Sequence, residues 1–266
     1  MRPVPVFMYH HASPHKGDMV TVTTDVFEAQ MRFLKETGYR TLSADEVLDY
    51  ILGMSAINEK AVAITFDDGY LDNYIYVFPI LKKYNIKATI FIVTDWVEEA
   101  SKAQGSRGKG QGVIAPSHQE GKELIAKGQT HQVIMNWDMV KEMQESGLID
   151  FYSHTMTHRK CAELSDAELM RELQDSKRVI EQRLNEPCAY LCWPKGSHNA
   201  NSIKIAKGVG YQALFTTKRG VVKTGSDKFS IERIAVKDDA GWFKERVRIY
   251  TNLLLSKLYL SIRGRG

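Results

Sequence analysis

From Val4 to Val236 short apolar runs alternate with amphipathic stretches of helical period, and this alternation constrains the fold more than any other feature. An apolar run with helical stretches before and after it is covered on both faces, as a strand is in a parallel sheet wrapped by helices. Strands are expected at Val4–His10, Thr41–Ser43, Ala61–Phe66, Ala88–Val93, Ile149–Tyr152, Ala189–Trp193, Ala213–Thr216 and Ile231–Val236. Helices are expected at Thr24–Thr37, Ala44–Leu52, Tyr70–Tyr84, Trp137–Ser146, Ser165–Leu184 and Asn201–Lys207. The first places Phe27, Met31, Phe33 and Leu34 on one face and stops at Gly38; the long one is capped by Ser165, with Asp166 and Glu168 complementing its dipole. Residues 96–131, which include Gly105, Gly108, Gly110 and Gly112, are expected as a long loop insertion, and residues 241–261 as a terminal helix. No internal repeat is evident. The length suits one α/β barrel forming a single domain over residues 1–266.

Composition excludes several classes. Hydrophobic residues at 43% and charged residues at 26% are globular values, so disorder is not expected. A net charge of +4 without a basic stripe argues against nucleic acid as a partner. Cys161, Cys188 and Cys192 form no CxxC pair, and their odd number leans towards a reducing compartment. No run is long and apolar enough to span a bilayer, and Met1–Tyr9 lacks the apolar core of a signal peptide. The expected location is therefore cytoplasmic or peripheral to a membrane, with export left open. The terminal helix mixes Leu, Ile and Tyr with Lys and Arg; it is expected to pack on the barrel, with a membrane surface as the alternative.

Two motifs carry chemistry. Thr65-Phe66-Asp67-Asp68-Gly69-Tyr70 falls where a buried strand ends, the position of catalytic groups in parallel barrels. Adjacent buried carboxylates raise each other's pKa, a cost that a divalent cation removes while leaving one of them as a base. An Asp-Gly turn with a helix-capping Asp accounts for the same residues without function. Ser153-His154-Thr155-Met156-Thr157-His158 also follows a strand, and histidines four apart can present both imidazoles to one metal. Two histidines and one carboxylate leave coordination positions open for water and substrate.

In this order the two motifs resemble the polysaccharide deacetylase (NodB-homology) family, and the resemblance runs on through CWPKG and IERI. It implies a distorted (β/α)7–8, TIM-like barrel, one divalent metal ion (zinc first, then cobalt, nickel or iron) and hydrolytic removal of N-acetyl groups from a glycan. Carried over by position, Asp68, His154 and His158 are the metal ligands and Asp67 is the catalytic base. Pro194 and Gly196 match a motif whose arginine holds the base, but Cys192 stands where that arginine should be; Arg233 is the expected replacement, with Lys195 behind it. The family's histidine acid on the last strand is also absent. The chain resembles the circularly permuted branch containing poly-β-1,6-N-acetylglucosamine deacetylases, where that motif lies at the N-terminus. His10 is then the expected acid and His11 its rival. Tyr70 and Trp193 are candidates to line a sugar subsite, or else core aromatics. His15, His118, His131 and His198 are expected at the surface. The competing readings are a metal-dependent hydrolase of a small cyclic amide or ureide, and a carbohydrate-binding protein with a decayed site. A phosphoesterase is disfavoured, since no glycine-rich phosphate loop is present.

Overall fold

The computed structural model describes residues 2–103 and 115–263. Ten strands run in chain order: β1 (Val6–Tyr9), β2 (His11–Ser13), β3 (Thr21–Thr23), β4 (Arg40–Leu42), β5 (Ala61–Asp68), β6 (Ala88–Ile92), β7 (Ile149–Ser153), β8 (Tyr190–Cys192), β9 (Ala213–Phe215) and β10 (Ile234–Ala235). The helices are α1 (Thr24–Glu36), α2 (Ala44–Leu52), α3 (Phe78–Tyr84), α4 (Thr94–Ala103), α5 (His118–Ala126), α6 (Trp137–Glu145), α7 (Asp166–Leu184), α8 (Ala200–Val209), α9 (Ala240–Tyr250) and α10 (Leu253–Arg263).

The main sheet is parallel in the order β10-β1-β5-β6-β7-β8-β9, with β4 also paired to β5. An isolated parallel bridge from Phe215 to Ile231 carries β9 towards β10, so the sheet curls into a distorted (β/α) barrel. β5 is its central staff. All eight of its residues are buried, as a strand covered on both faces must be. Aromatic side chains fill the space beneath α1: Tyr9 stacks on Phe66 at 5.1 Å and meets Phe27 edge-on at 5.4 Å.

Several expectations needed adjustment. The Tyr70–Tyr84 helix begins with a π-helical turn, Asn73–Val77, before α3. Asp72 and Asn73 spend their side chains on His11 and on the His10 carbonyl, which explains the irregular start. The terminal segment is two helices. Asn252 breaks it, because its side chain accepts from the amides of Leu254 and Leu255 at 3.0 and 3.1 Å and so starts a second helix. The stretch expected as a long loop carries α4 at its beginning and α5 near its end; the glycines at 105, 108, 110 and 112 lie outside the described residues. The last strand is shorter than Ile231–Val236, being regular only over Ile234–Ala235.

Candidate metal centre

β5 delivers two carboxylates to the end of the barrel where its strands terminate. Asp67 and Asp68 are 2% and 5% exposed. The backbone turns sharply here, with Asp68 at φ 77° and Gly69 at φ 82°. A side chain at Gly69 would press on Ile92 at 2.9 Å, so glycine is required. Left-handed backbone recurs at Thr155 (φ 67°) and His158 (φ 61°) in the second motif. Such conformations cost about 1–3 kcal/mol each and persist where surrounding structure fixes them for a purpose.

His154 and His158 follow β7 and face Asp68. Their Nε2 atoms lie 3.4 and 3.2 Å from the same oxygen, Asp68 Oδ1. The His154 ring is oriented from behind: its Nδ1 donates to the Cys192 carbonyl at 2.8 Å, leaving the Nε2 lone pair towards Asp68. Burial pushes the His154 imidazole down to about 4, so it is neutral and able to ligate near pH 7. Burial opposes ionisation of Asp68, but the facing imidazole of His158 outweighs it and holds the carboxyl far below its ordinary range.

This arrangement fits a divalent cation. The three ligand atoms lie within 4.8 Å of one another, and Asp68 Oδ1 is buried without a hydrogen-bond partner. An unsatisfied buried carboxylate oxygen is costly, and a cation between the three groups would satisfy it. A second grouping, Asp67 with His154 and Cys192, is a poorer host. Both oxygens of Asp67 are already engaged, and burial pushes the Cys192 thiol well up, keeping it protonated.

Asp67 is held by Arg233. The guanidinium makes a two-pronged pair with it, Nη1 to Oδ1 at 2.7 Å and Nη2 to Oδ2 at 2.8 Å. Arg233 is itself fixed inside the barrel. Its Nε donates to the Thr216 carbonyl at 2.9 Å, Nη1 to Thr65 at 3.1 Å, and Nη2 lies 2.9 Å from the Cys192 sulfur. Burial raises the Asp67 pKa, but the charge and hydrogen bonds of Arg233 prevail, and the carboxyl titrates below its ordinary value. Cys192 thus occupies the space beside the pair while Arg233 reaches Asp67 from near β10; Lys195 is exposed on a left-handed turn.

The two N-terminal histidines divide. His10 Nε2 lies 3.9 Å from Asp67 Oδ2 with its side chain 23% exposed, at the mouth of the site. His11 is buried, 2.6 Å from Asp72 and stacked on Tyr70 at 3.7 Å. Tyr70 is a core aromatic, 5% exposed. Trp193 is fully buried and stacked on His198 at 5.6 Å, so it presents no face to a sugar. Pro194 is buried, and Gly196 takes φ 65°, where a side chain would collide with Thr217. His118 is corrected from the surface: its side chain is 10% exposed and meets His11 edge-on at 4.7 Å.

Glu172 escaped sequence reasoning. It lies on the buried stripe of α7 with Leu169, Leu173, Ser176 and Ile180. Its carboxylate accepts from the amides of Met156 and Thr157 at 3.0 and 2.9 Å and from the Thr157 hydroxyl, pinning the loop between the two histidines. A carboxylate among apolar helix positions was the available signal.

Comparison with known proteins agrees with this geometry. The polysaccharide deacetylase family profile matches residues 55–214. YxkH of Bacillus subtilis (strain 168), a chain of the polysaccharide deacetylase kind, is 30% identical over 233 residues, covering 88% of this chain and 71% of that one. A poly-β-1,6-N-acetyl-D-glucosamine N-deacetylase of Staphylococcus aureus is 26% identical over 244 residues, 88% of this chain and 74% of its own. Among solved structures, the Streptococcus pyogenes deacetylase PplD in complex with acetate superposes with a TM-score of 0.73 at 26% identity, covering 89% of this chain and 93% of that one.

Proposed function

The chain belongs to the polysaccharide deacetylase family and is a metal-dependent hydrolase of N-acetylated sugars, and on that premise we propose that its substrate is a β-1,6-linked N-acetylglucosamine polymer deacetylated at the Asp68–His154–His158 centre. The observation that carries the site is the pairing of a largely buried two-histidine, one-carboxylate set with a neighbouring carboxylate clamped by Arg233.

In this reading Asp68, His154 and His158 hold the ion, and zinc suits their nitrogen and oxygen donors. When bound, the ion supplies Lewis acidity, polarising the acetamide carbonyl and acidifying water. Asp67 accepts the proton of the attacking water. Arg233 keeps that carboxylate ionised and fixes its plane. His10, partly exposed beside Asp67, protonates the nitrogen as the C–N bond breaks, leaving acetate and a free amine. His11 is unsuited to that part because Asp72 and Tyr70 enclose it. Tyr70, Trp193, Pro194 and Gly196 act as supports beneath the site.

The linkage preference is supported by the Staphylococcus aureus relative and by the N-terminal position of His10, and acetate release tests it. Oligomers of β-1,6-linked N-acetylglucosamine should react faster than β-1,4-linked ones of equal length. Equal rates, or turnover of small cyclic amides alone, would overturn it. The ligand assignment is tested by His158→Ala, which should reduce bound zinc from stoichiometric to near zero after dialysis; full retention would move the ligand elsewhere. No helix among the described residues is long and apolar enough to cross a membrane.

A further inference from the structure

Helix α10 is built inside out. Ser256 is fully buried, whereas Leu254, Leu258 and Ile262 are 76%, 59% and 72% exposed. These three stand four residues apart, and the exposed Leu255 adjoins them, so they form one continuous apolar stripe. The opposite side is anchored: Tyr259 packs edge-on against Tyr250 of α9 at 5.6 Å and beneath the Arg246 guanidinium at 4.6 Å. A helix free to rotate in water would turn its leucines inward; this one holds them out.

The sequence that carries the stripe is basic. From Arg246 to Gly266 the sequence contains Arg246, Arg248, Lys257, Arg263 and Arg265 and no acidic residue. A cavity of about 710 Å³ adjoins α10 through Tyr259, and Lys16, Arg219, Lys237 and Arg246 contribute to its wall. Asp18 and Asp238 also line it, each bonded to neutral backbone and hydroxyl donors, and the four basic side chains outnumber them. Arg246 Nη1 is buried and pairs with the exposed Glu245 at 3.2 Å. A net cationic wall beside an apolar stripe matches a surface of anionic headgroups over acyl chains.

We propose that α10 and the cationic wall beside it form a docking surface for an anionic lipid membrane, with the leucine stripe entering the interface. The proposal goes beyond the deacetylase reading and does not depend on it. The test is co-sedimentation of the full chain with vesicles of phosphatidylcholine alone or mixed with phosphatidylglycerol. The mixed vesicles should bind at least about tenfold more protein, and added salt should weaken that binding. Leu254→Gln with Leu258→Gln and Ile262→Gln, all at exposed positions, should lower it about tenfold with the circular dichroism spectrum unchanged. Lys257→Glu should also weaken it. Wild-type protein remaining in the supernatant, or the triple variant binding as well as wild type, would overturn the proposal. So would a wild-type dimer, without vesicle binding, that the triple variant converts to monomer; a second copy of the chain would then be the occupant.

Discussion

Asp67→Asn is expected to remove turnover while leaving the metal in place. The substitution keeps the size of the side chain but takes away the charge and the basic oxygen that receive the proton of water. Loss of a positioned general base costs about 10²–10⁴-fold in rate. The ligand atoms of Asp68, His154 and His158 are untouched, so bound zinc should stay stoichiometric. Acetate release and metal content measured on one preparation separate base from ligand. A variant that turns over normally would place the base elsewhere, and one that loses its metal would make Asp67 a ligand.

Arg233→Met should have the larger effect on the fold. Arg233 is 1% exposed and Asp67 2%, and the two share two hydrogen bonds. Removing one partner of such a pair leaves the other charge buried, at about 3–5 kcal/mol. The sign of the pH dependence follows. In the wild type the Asp67 pKa is lowered, so its contribution is present above the unfolded-state value and is lost as pH falls through the folded one. Without Arg233, burial loses its main opponent and the folded pKa rises. Protonation then relieves the variant, and its deficit should shrink as pH falls through the carboxylate range. Denaturant unfolding of chelator-treated protein at neutral and mildly acidic pH reads this directly. A deficit that is small, or that grows on acidification, would show that the pair does not govern stability. Arg233→Lys should recover only part of the loss, because an ammonium cannot make the two-pronged contact.

The elements legible in the sequence were those whose pattern is enforced over many residues. β5 showed as an apolar run because both its faces are covered, and α7 showed through its Ser165 cap with Asp166 and Glu168 in the first turn. β2 and β3, three residues each, carry too little pattern to separate from loop. The split at Asn252 was hidden because one polar residue inside an apolar-rich segment is an ordinary surface position until its side chain is seen capping the next helix.

The site divides in the same way. Asp67, Asp68, His154 and His158 were visible as motif residues, and the structure brings them together around one oxygen and one guanidinium. Arg233 could be named only because the arginine expected at Cys192 was missing; sequence separation conceals that both positions face the barrel interior. Trp193 shows the limit of reading aromatics at strand ends. Its position offers a sugar platform or a core plug alike, and only burial decides for the plug. Glu172 had no motif at all, since its work is to hold backbone amides 15 and 16 residues away.

The central claim is that this Asp-His-His set makes the chain a metal-dependent deacetylase. It is tested most directly by acetate release from β-1,6-linked N-acetylglucosamine oligomers, using protein stripped with a chelator and then reloaded with zinc. The account predicts that stripping abolishes release and that reloading restores it together with one zinc per chain. Release that survives complete stripping, or protein that regains its zinc and stays inert on every acetylated glycan, would contradict it.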